Sequence, residues 1–193
     1  MLTGAPPRGS SGARLGSLVV LLALATPAPA AAQTTRQPPA DCSTDPDFHV
    51  LDFWLGDWRV TVGNQEVGHD RVERILGGCA IMEHWRGATG DEGKSLFYYD
   101  PRLPGWRQVW VTTHVAAPGG LKEKHLVARY PDGGVRFQGE RPGPGGALVF
   151  DRTTLTPMDG GRVHQVIETS ADGGASWRTG FDAIYSPSGT AGP

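Results

Sequence analysis

The chain has 193 residues, with 28 Gly, 16 Pro, 2 Cys and a formal charge of -2. That balance lacks the clustered Lys and Arg excess that phosphate binding needs, which sets nucleic-acid binding aside. With 38% hydrophobic and 20% charged residues, the composition is not that of a disordered chain either.

Residues 1–32 carry Arg8 and Arg14 and no acid, then an apolar run over 15–25, then Thr26-Pro-Ala-Pro-Ala-Ala-Ala32. A positive start, a short apolar core and an A-x-A pattern predict a cleaved signal peptide, with the cut after Ala32 or Ala30. The apolar run is too short for a membrane anchor, since crossing ~30 Å of hydrocarbon as a helix takes ~20 residues. Neither a lipobox Cys nor a twin Arg accompanies it. The expected location is therefore periplasmic or secreted, without membrane insertion after cleavage. Removing residues 1–32 leaves 161, and the loss of two Arg takes the formal charge to -4.

Cys42 and Cys79 are the two cysteines of the chain. In an oxidising space they are expected to pair, whereas a catalytic or metal-bound thiol would want a His at motif spacing, which neither has.

Residues 33–45 are mostly Thr, Gln, Pro, Ala and Asp and read as a flexible leader. Over 45–55 a helical turn is predicted, with Asp45 as N-cap and Pro46 at the first helical position. From Gly56 the period becomes two: Trp58, Val60 and Val62 alternate with Asp57, Arg59 and Thr61, and Gly63-Asn64 ends the strand. Further strands are predicted at 66–76, 79–86, 95–99, 106–113, 121–130, 135–140, 147–156, 162–169 and 176–185. Between them stand turn residues such as Gly77-Gly78, Pro118-Gly119-Gly120, Asp132-Gly133-Gly134, Asp159-Gly160-Gly161 and Asp172-Gly173-Gly174. The barrel domain spans 46–187, and 188–193 reads as a disordered tail.

Ten short strands with hairpin-length joins must be mostly antiparallel, because parallel neighbours need a longer crossover. Closing such a meander removes both exposed edges, so an all-β, up-and-down barrel of about ten strands is expected, with a two-sheet sandwich as the competing architecture. Ten strands enclose more space than the eight whose side chains fill the interior or leave room for one small ligand, so a cavity is expected.

The segments Phe53-Trp-Leu-Gly-Asp-Trp58, Gly77-Gly-Cys-Ala-Ile-Met-Glu-His-Trp85, Gly93-Lys-Ser-Leu-Phe-Tyr-Tyr-Asp100, Trp106-Arg-Gln-Val-Trp110 and Glu168-Thr-Ser-Ala-Asp-Gly-Gly-Ala-Ser-Trp177 resemble the DUF1579-type family of exported bacterial proteins. The likeness runs over about 48–185. It implies a calycin-like barrel, related in shape to lipocalins and haem-binding nitrobindins, and no particular activity. Function has to be argued from a site.

If the tryptophan faces point inward, Glu83, Trp85, Gln108, Trp110 and Gln165 line a cavity, and Trp58 is placed with them as a ligand-binding residue. The plainer alternative is that Trp54, Trp58, Trp85, Trp106, Trp110 and Trp177 fill the core. Glu83 inside the barrel needs an Arg partner, with Arg86, Arg107 and Arg152 in reach, or a shifted pKa that would suit it as a catalytic acid or base. The six histidines, one per segment, show no metal-site spacing, so no metal or cofactor is expected, and the residues around His164 do not match the nitrobindin motif. Ser170 and Ser176 lie in a hairpin without nucleophile-elbow spacing, and Asp172-Gly173-Gly174 reads as a turn. The expected partner is a small, largely apolar molecule, and the runner-up is an enzyme using Glu83 in the same cavity.

Overall fold

The computed structural model describes residues 41–189, so the expected signal peptide, the first part of the leader and the last four residues lie outside the described region. Within it the chain is a closed antiparallel barrel of ten strands, each hydrogen-bonded to its neighbours in sequence, with the last strand returning to the first. The strands are β1 (Gly56–Val62), β2 (Gln65–Ile75), β3 (Ala80–Gly87), β4 (Glu92–Asp100), β5 (Gly105–Thr112), β6 (Leu121–Arg129), β7 (Val135–Pro142), β8 (Leu148–Met158), β9 (Arg162–Ser170) and β10 (Arg178–Pro187). All ten predicted strands are present, with ends displaced by up to three residues, and the sandwich alternative is excluded by the pairing of β1 with β10 through Val60 and Tyr185. Closure leaves no strand edge to template pairing with another chain. Register shifts in the β1–β2, β6–β7 and β9–β10 ladders supply the local bends that a closed sheet needs.

The predicted turn before β1 is a pair of short 3-10 segments, Pro46–His49 and Asp52–Trp54. Asp45 caps the first, its side chain accepting from the Asp47 amide at 3.0 Å, and Pro46 starts it with a fixed φ. The segment is a plug. It inserts Phe48, Leu51 and Trp54 into the end of the barrel where β4 turns into β5. Trp54 meets Phe97 edge-on at 5.4 Å and Phe48 lies 5.1 Å from Tyr99, while the Trp106 indole donates to the Asp47 carbonyl at 2.7 Å. Below it Val60, Ile81, Phe137, Leu155, Val163 and Tyr185 complete a solid core.

Cys42 and Cys79 form the expected disulfide, with Cα atoms 4.9 Å apart, and tie the start of the plug to the turn between β2 and β3. Arg74 holds the same segment by donating to the carbonyls of Phe48 and Gly78, each at 3.0 Å, and by an ion pair with Asp52. Among the described residues no helix is long and apolar enough to cross a membrane.

Candidate functional site

At the end opposite the plug the packing stops. A cavity of about 380 Å³ opens there, bounded by β3, β5 to β10 and the β5–β6 loop at Pro118 and Gly119. Its position follows from residue size: the plug half carries large rings at inward positions, while on the opposite half glycines alternate with the two rings that need them. A Cβ at Gly68 of β2 would collide with the Trp85 ring, and one at Gly93 of β4 with the Trp110 ring. Each glycine lets a ring lie against the sheet as a wall of the cavity. Trp85 is fixed further by donating its indole N–H to Asp91 at 3.1 Å and by an edge contact with Phe181 at 6.3 Å. Asp91 is held below the usual carboxylate range, first by the Thr89 hydroxyl and then by Trp85.

Five of the six predicted ligand residues, Glu83, Trp85, Gln108, Trp110 and Gln165, line this one cavity. Trp58 does not. It is buried in the closed half, donating to the Trp54 carbonyl at 3.0 Å and meeting Tyr185 at 6.4 Å, because its strand enters the barrel beneath the plug. The tryptophans therefore divide by place: Trp54, Trp58 and Trp106 are core, Trp85 and Trp110 line the cavity, and Trp177 lies in the β9–β10 hairpin with the Arg152 guanidinium 3.8 Å above its ring. That hairpin is built around Asp172, which accepts from the Ser170 and Ser176 hydroxyls at 2.7 and 2.6 Å and is held well below the usual carboxylate range by them. His164 points outward from β9 and bonds to Asp182 at 2.7 Å. Among the described residues no three His, Cys, Asp or Glu side chains gather as metal ligands.

The arginine expected beside Glu83 is not its partner. Arg86 pairs with Glu92 and Arg152 with Glu168, while Arg107 lies on the face of β5 opposite Gln108. Glu83 instead adjoins a second buried carboxyl, Asp70 of β2, and the Ser95 hydroxyl, with the ammonium groups of Lys122 and Lys124 nearby. Burial raises Glu83, and these neighbours only partly oppose it. Asp70 is pushed up much further, by burial and then by the charge of Glu83. Two carboxyl groups this close and this dry cannot both ionise, and the proton stays on Asp70, the more strongly raised of the two. Behind them Gln108 donates to Ser95 at 3.0 Å and Tyr185 to Gln165 at 2.8 Å. Among the described residues, Glu83 Oε2, both carboxyl oxygens of Asp70 and Gln108 Oε1 are buried without a hydrogen-bond partner.

Because Asp70 is protonated in the barrel at pH values where it ionises in the unfolded chain, its contribution is complete below about pH 4 and declines as the pH rises. Asp70→Asn removes that decline. It is expected to raise stability at pH 7 by about 1–2 kcal/mol and to leave it unchanged at pH 4. Urea unfolding at the two pH values checks this, and an equal loss at both would show that Asp70 is ionised when folded.

The second polar group was not predicted. Lys122 and Lys124 of β6, Arg141 of β7, and Asp151 and Thr153 of β8 all face the cavity. Lys124 and Asp151 form a buried ion pair, their side chains 2% and 3% exposed, and Lys124 also donates to the Thr153 hydroxyl at 2.6 Å. Burial works against the charge on Asp151, yet the ammonium groups of Lys124 and Lys122 still hold it below the usual carboxylate range. From the other side the pair is weaker, because burial brings Lys124 down to about 8 despite Asp151. Strand parity was the available signal: on β8 the buried Val149, Asp151, Thr153 and Leu155 share one face, with apolar residues at both ends fixing that face as inward.

No protein-family model matches the chain, and no curated protein matches it.

Proposed function

We propose that this is an exported member of the DUF1579-type family, periplasmic or secreted, whose barrel holds a small and largely apolar molecule in the cavity walled by Trp85 and Trp110. The observation that carries the reading is the contrast between the two halves of the barrel. Around the plug the rings pack solidly, whereas the far half keeps about 380 Å³ open between two tryptophans seated on glycines. That volume falls within the range of small-molecule pockets, and its mixture of rings with few unpartnered polar atoms suits a ligand held in one orientation. The leader pattern of residues 1–32 and the disulfide support export to an oxidising compartment.

A native mass spectrum of the protein purified from its own host is expected to show a bound species that denaturation releases. The matching loss of function is Trp85→Ala or Trp110→Ala, each expected to weaken binding of that species about 10-fold or more, as removal of a ring contact does. A protein that carries nothing and shows no change in tryptophan emission with lipid, haem and aromatic panels would overturn the reading.

One observation favours a catalytic alternative. Glu83 lines the cavity, is raised by burial and keeps a buried Oε2 without a protein partner, the condition of a carboxyl able to exchange a proton with a bound molecule. Glu83→Gln separates the two, since a binder keeps its ligand and an enzyme loses turnover.

A further inference from the structure

We propose that the cavity takes a small aromatic carboxylate, its ring system against Trp85 and Trp110 and its carboxylate on Lys122 and Arg141. The assignment rests on the ligand-binding reading above and adds the chemical class of the ligand.

Three cations converge on one carboxylate. Lys124 is fully engaged by Asp151 and Thr153. Lys122 and Arg141 are not: both reach the other carboxylate oxygen of Asp151, at 3.6 and 3.4 Å, near the outer limit of an ion-pair contact. Their side chains are only 17% and 16% exposed, so water satisfies little of what Asp151 leaves. An ammonium has three donors and a guanidinium five. Among the described residues, and apart from Asp151, the one side-chain hydrogen bond that either makes is from Arg141 to the Pro142 carbonyl at 3.4 Å.

The other acids on the lining do not close this balance. Asp91 is ionised, but it sits at the rim, bonded to the neutral donors Trp85 and Thr89 and to no cation. Glu83 adjoins Ser95 and the second buried carboxyl, Asp70, and burial works against its charge. Asp91 therefore balances charge at the rim only: with Glu83 ionised, Lys122, Lys124 and Arg141 face Asp151 and Glu83 in the deeper part of the lining, and a local surplus of one positive charge remains there. A monoanion removes that surplus. A carboxylate also presents two coplanar oxygens, matching an ammonium and a guanidinium held side by side by Asp151. The adjoining surface sets the rest of the ligand: Trp110 is the register partner of Lys122 across the β5–β6 ladder, and with Trp85 and Phe181 it offers flat apolar surface suited to a ring.

The test uses the mature protein and calorimetric titration with benzoate, indole-3-acetate and 2-naphthoate, each beside its uncharged primary amide. At pH 7 the acid is expected to bind about 10-fold or more tightly than its amide, the scale of charge-assisted hydrogen bonds lost from a dry site. Lys122→Met with Arg141→Met is expected to bring the acid down to the amide and leave the amide unchanged. Each substitution is also made singly, with near-ultraviolet circular dichroism confirming the fold, so the comparison survives failure of the double variant. Amides that bind as tightly as the acids, or variants that hold the acid as well as wild type, would overturn the carboxylate assignment. If acid and amide bind equally and Trp85→Ala weakens both, the cavity reading stands while the carboxylate assignment fails. If no member of any pair binds, both are overturned.

Discussion

Asp151→Asn is expected to destabilise the barrel by about 3–5 kcal/mol at pH 7, the usual cost of leaving a buried charge without its partner. Shape is conserved in this substitution, so the loss measures charge. Lys124, 2% exposed, keeps its hydrogen bond to Thr153 but loses its countercharge, while Lys122 and Arg141 remain as repulsive neighbours. The sign of the pH dependence follows from the ammonium. In the wild type Lys124 sits at about 8 when folded, below the ~10.4 of an unfolded chain. Between those values the unfolded state binds the extra proton, so stability rises with pH across the window. Removing the Asp151 charge lowers Lys124 further, widening the window at its lower end. The penalty of the variant is therefore expected to be largest near pH 7 and to shrink toward pH 10, where Lys124 is neutral in both folded proteins. Urea unfolding followed by tryptophan emission at the two pH values checks this. A penalty that does not change with pH would mean that Asp151 acts through shape or hydrogen bonding alone.

Replacing both cysteines, Cys42→Ser with Cys79→Ser, is expected to cost about 3–4 kcal/mol by the chain-entropy argument for a loop of this length. The bond spans a sequence separation of 37, taking in the plug, β1 and β2. Cutting it enlarges the unfolded ensemble, and the thermal midpoint should fall on the order of 10 °C. The folded state changes less. Arg74 still binds the Phe48 and Gly78 carbonyls, Trp106 still donates to Asp47, and Phe48 and Trp54 keep their ring contacts. Since the plug closes one end and the cavity opens at the other, ligand affinity should stay within about 2-fold of wild type, as expected of distant, independent sites. A midpoint that does not move on substitution or reduction would show that packing alone fixes the plug. A loss of affinity would show instead that the two ends communicate.

Much of the architecture was legible because it rests on period-two patterning and turn chemistry, both local. Trp58 and Val60 against Asp57 and Arg59, and the Gly-rich turns between strands, led to ten strands and thence to closure. Asp45-Pro46 gave the plug its start for the same local reason. The candidate site was legible in part. Glu83, Trp85, Gln108, Trp110 and Gln165 share inward faces by parity, and the structure brings them to one cavity. Trp58 shares an inward face too, but at a depth the plug occupies, and parity carries no information about depth. Asp70, Lys124 and Asp151 were passed over because a charged residue within a strand reads as outward unless its face is traced to buried residues at both ends.

By itself the sequence determined the strand count, the connectivity, the leader pattern at the start and the availability of one disulfide, because these depend on neighbours along the chain. Only the tertiary structure decided which end of the barrel is filled and which charges meet inside it. Those depend on how far each strand has climbed when it passes its partners, so that Asp70 of β2 meets Glu83 of β3 and three cations from β6 and β7 meet Asp151 of β8. The charge balance of the cavity, and with it the kind of molecule it suits, is a property of the closed barrel.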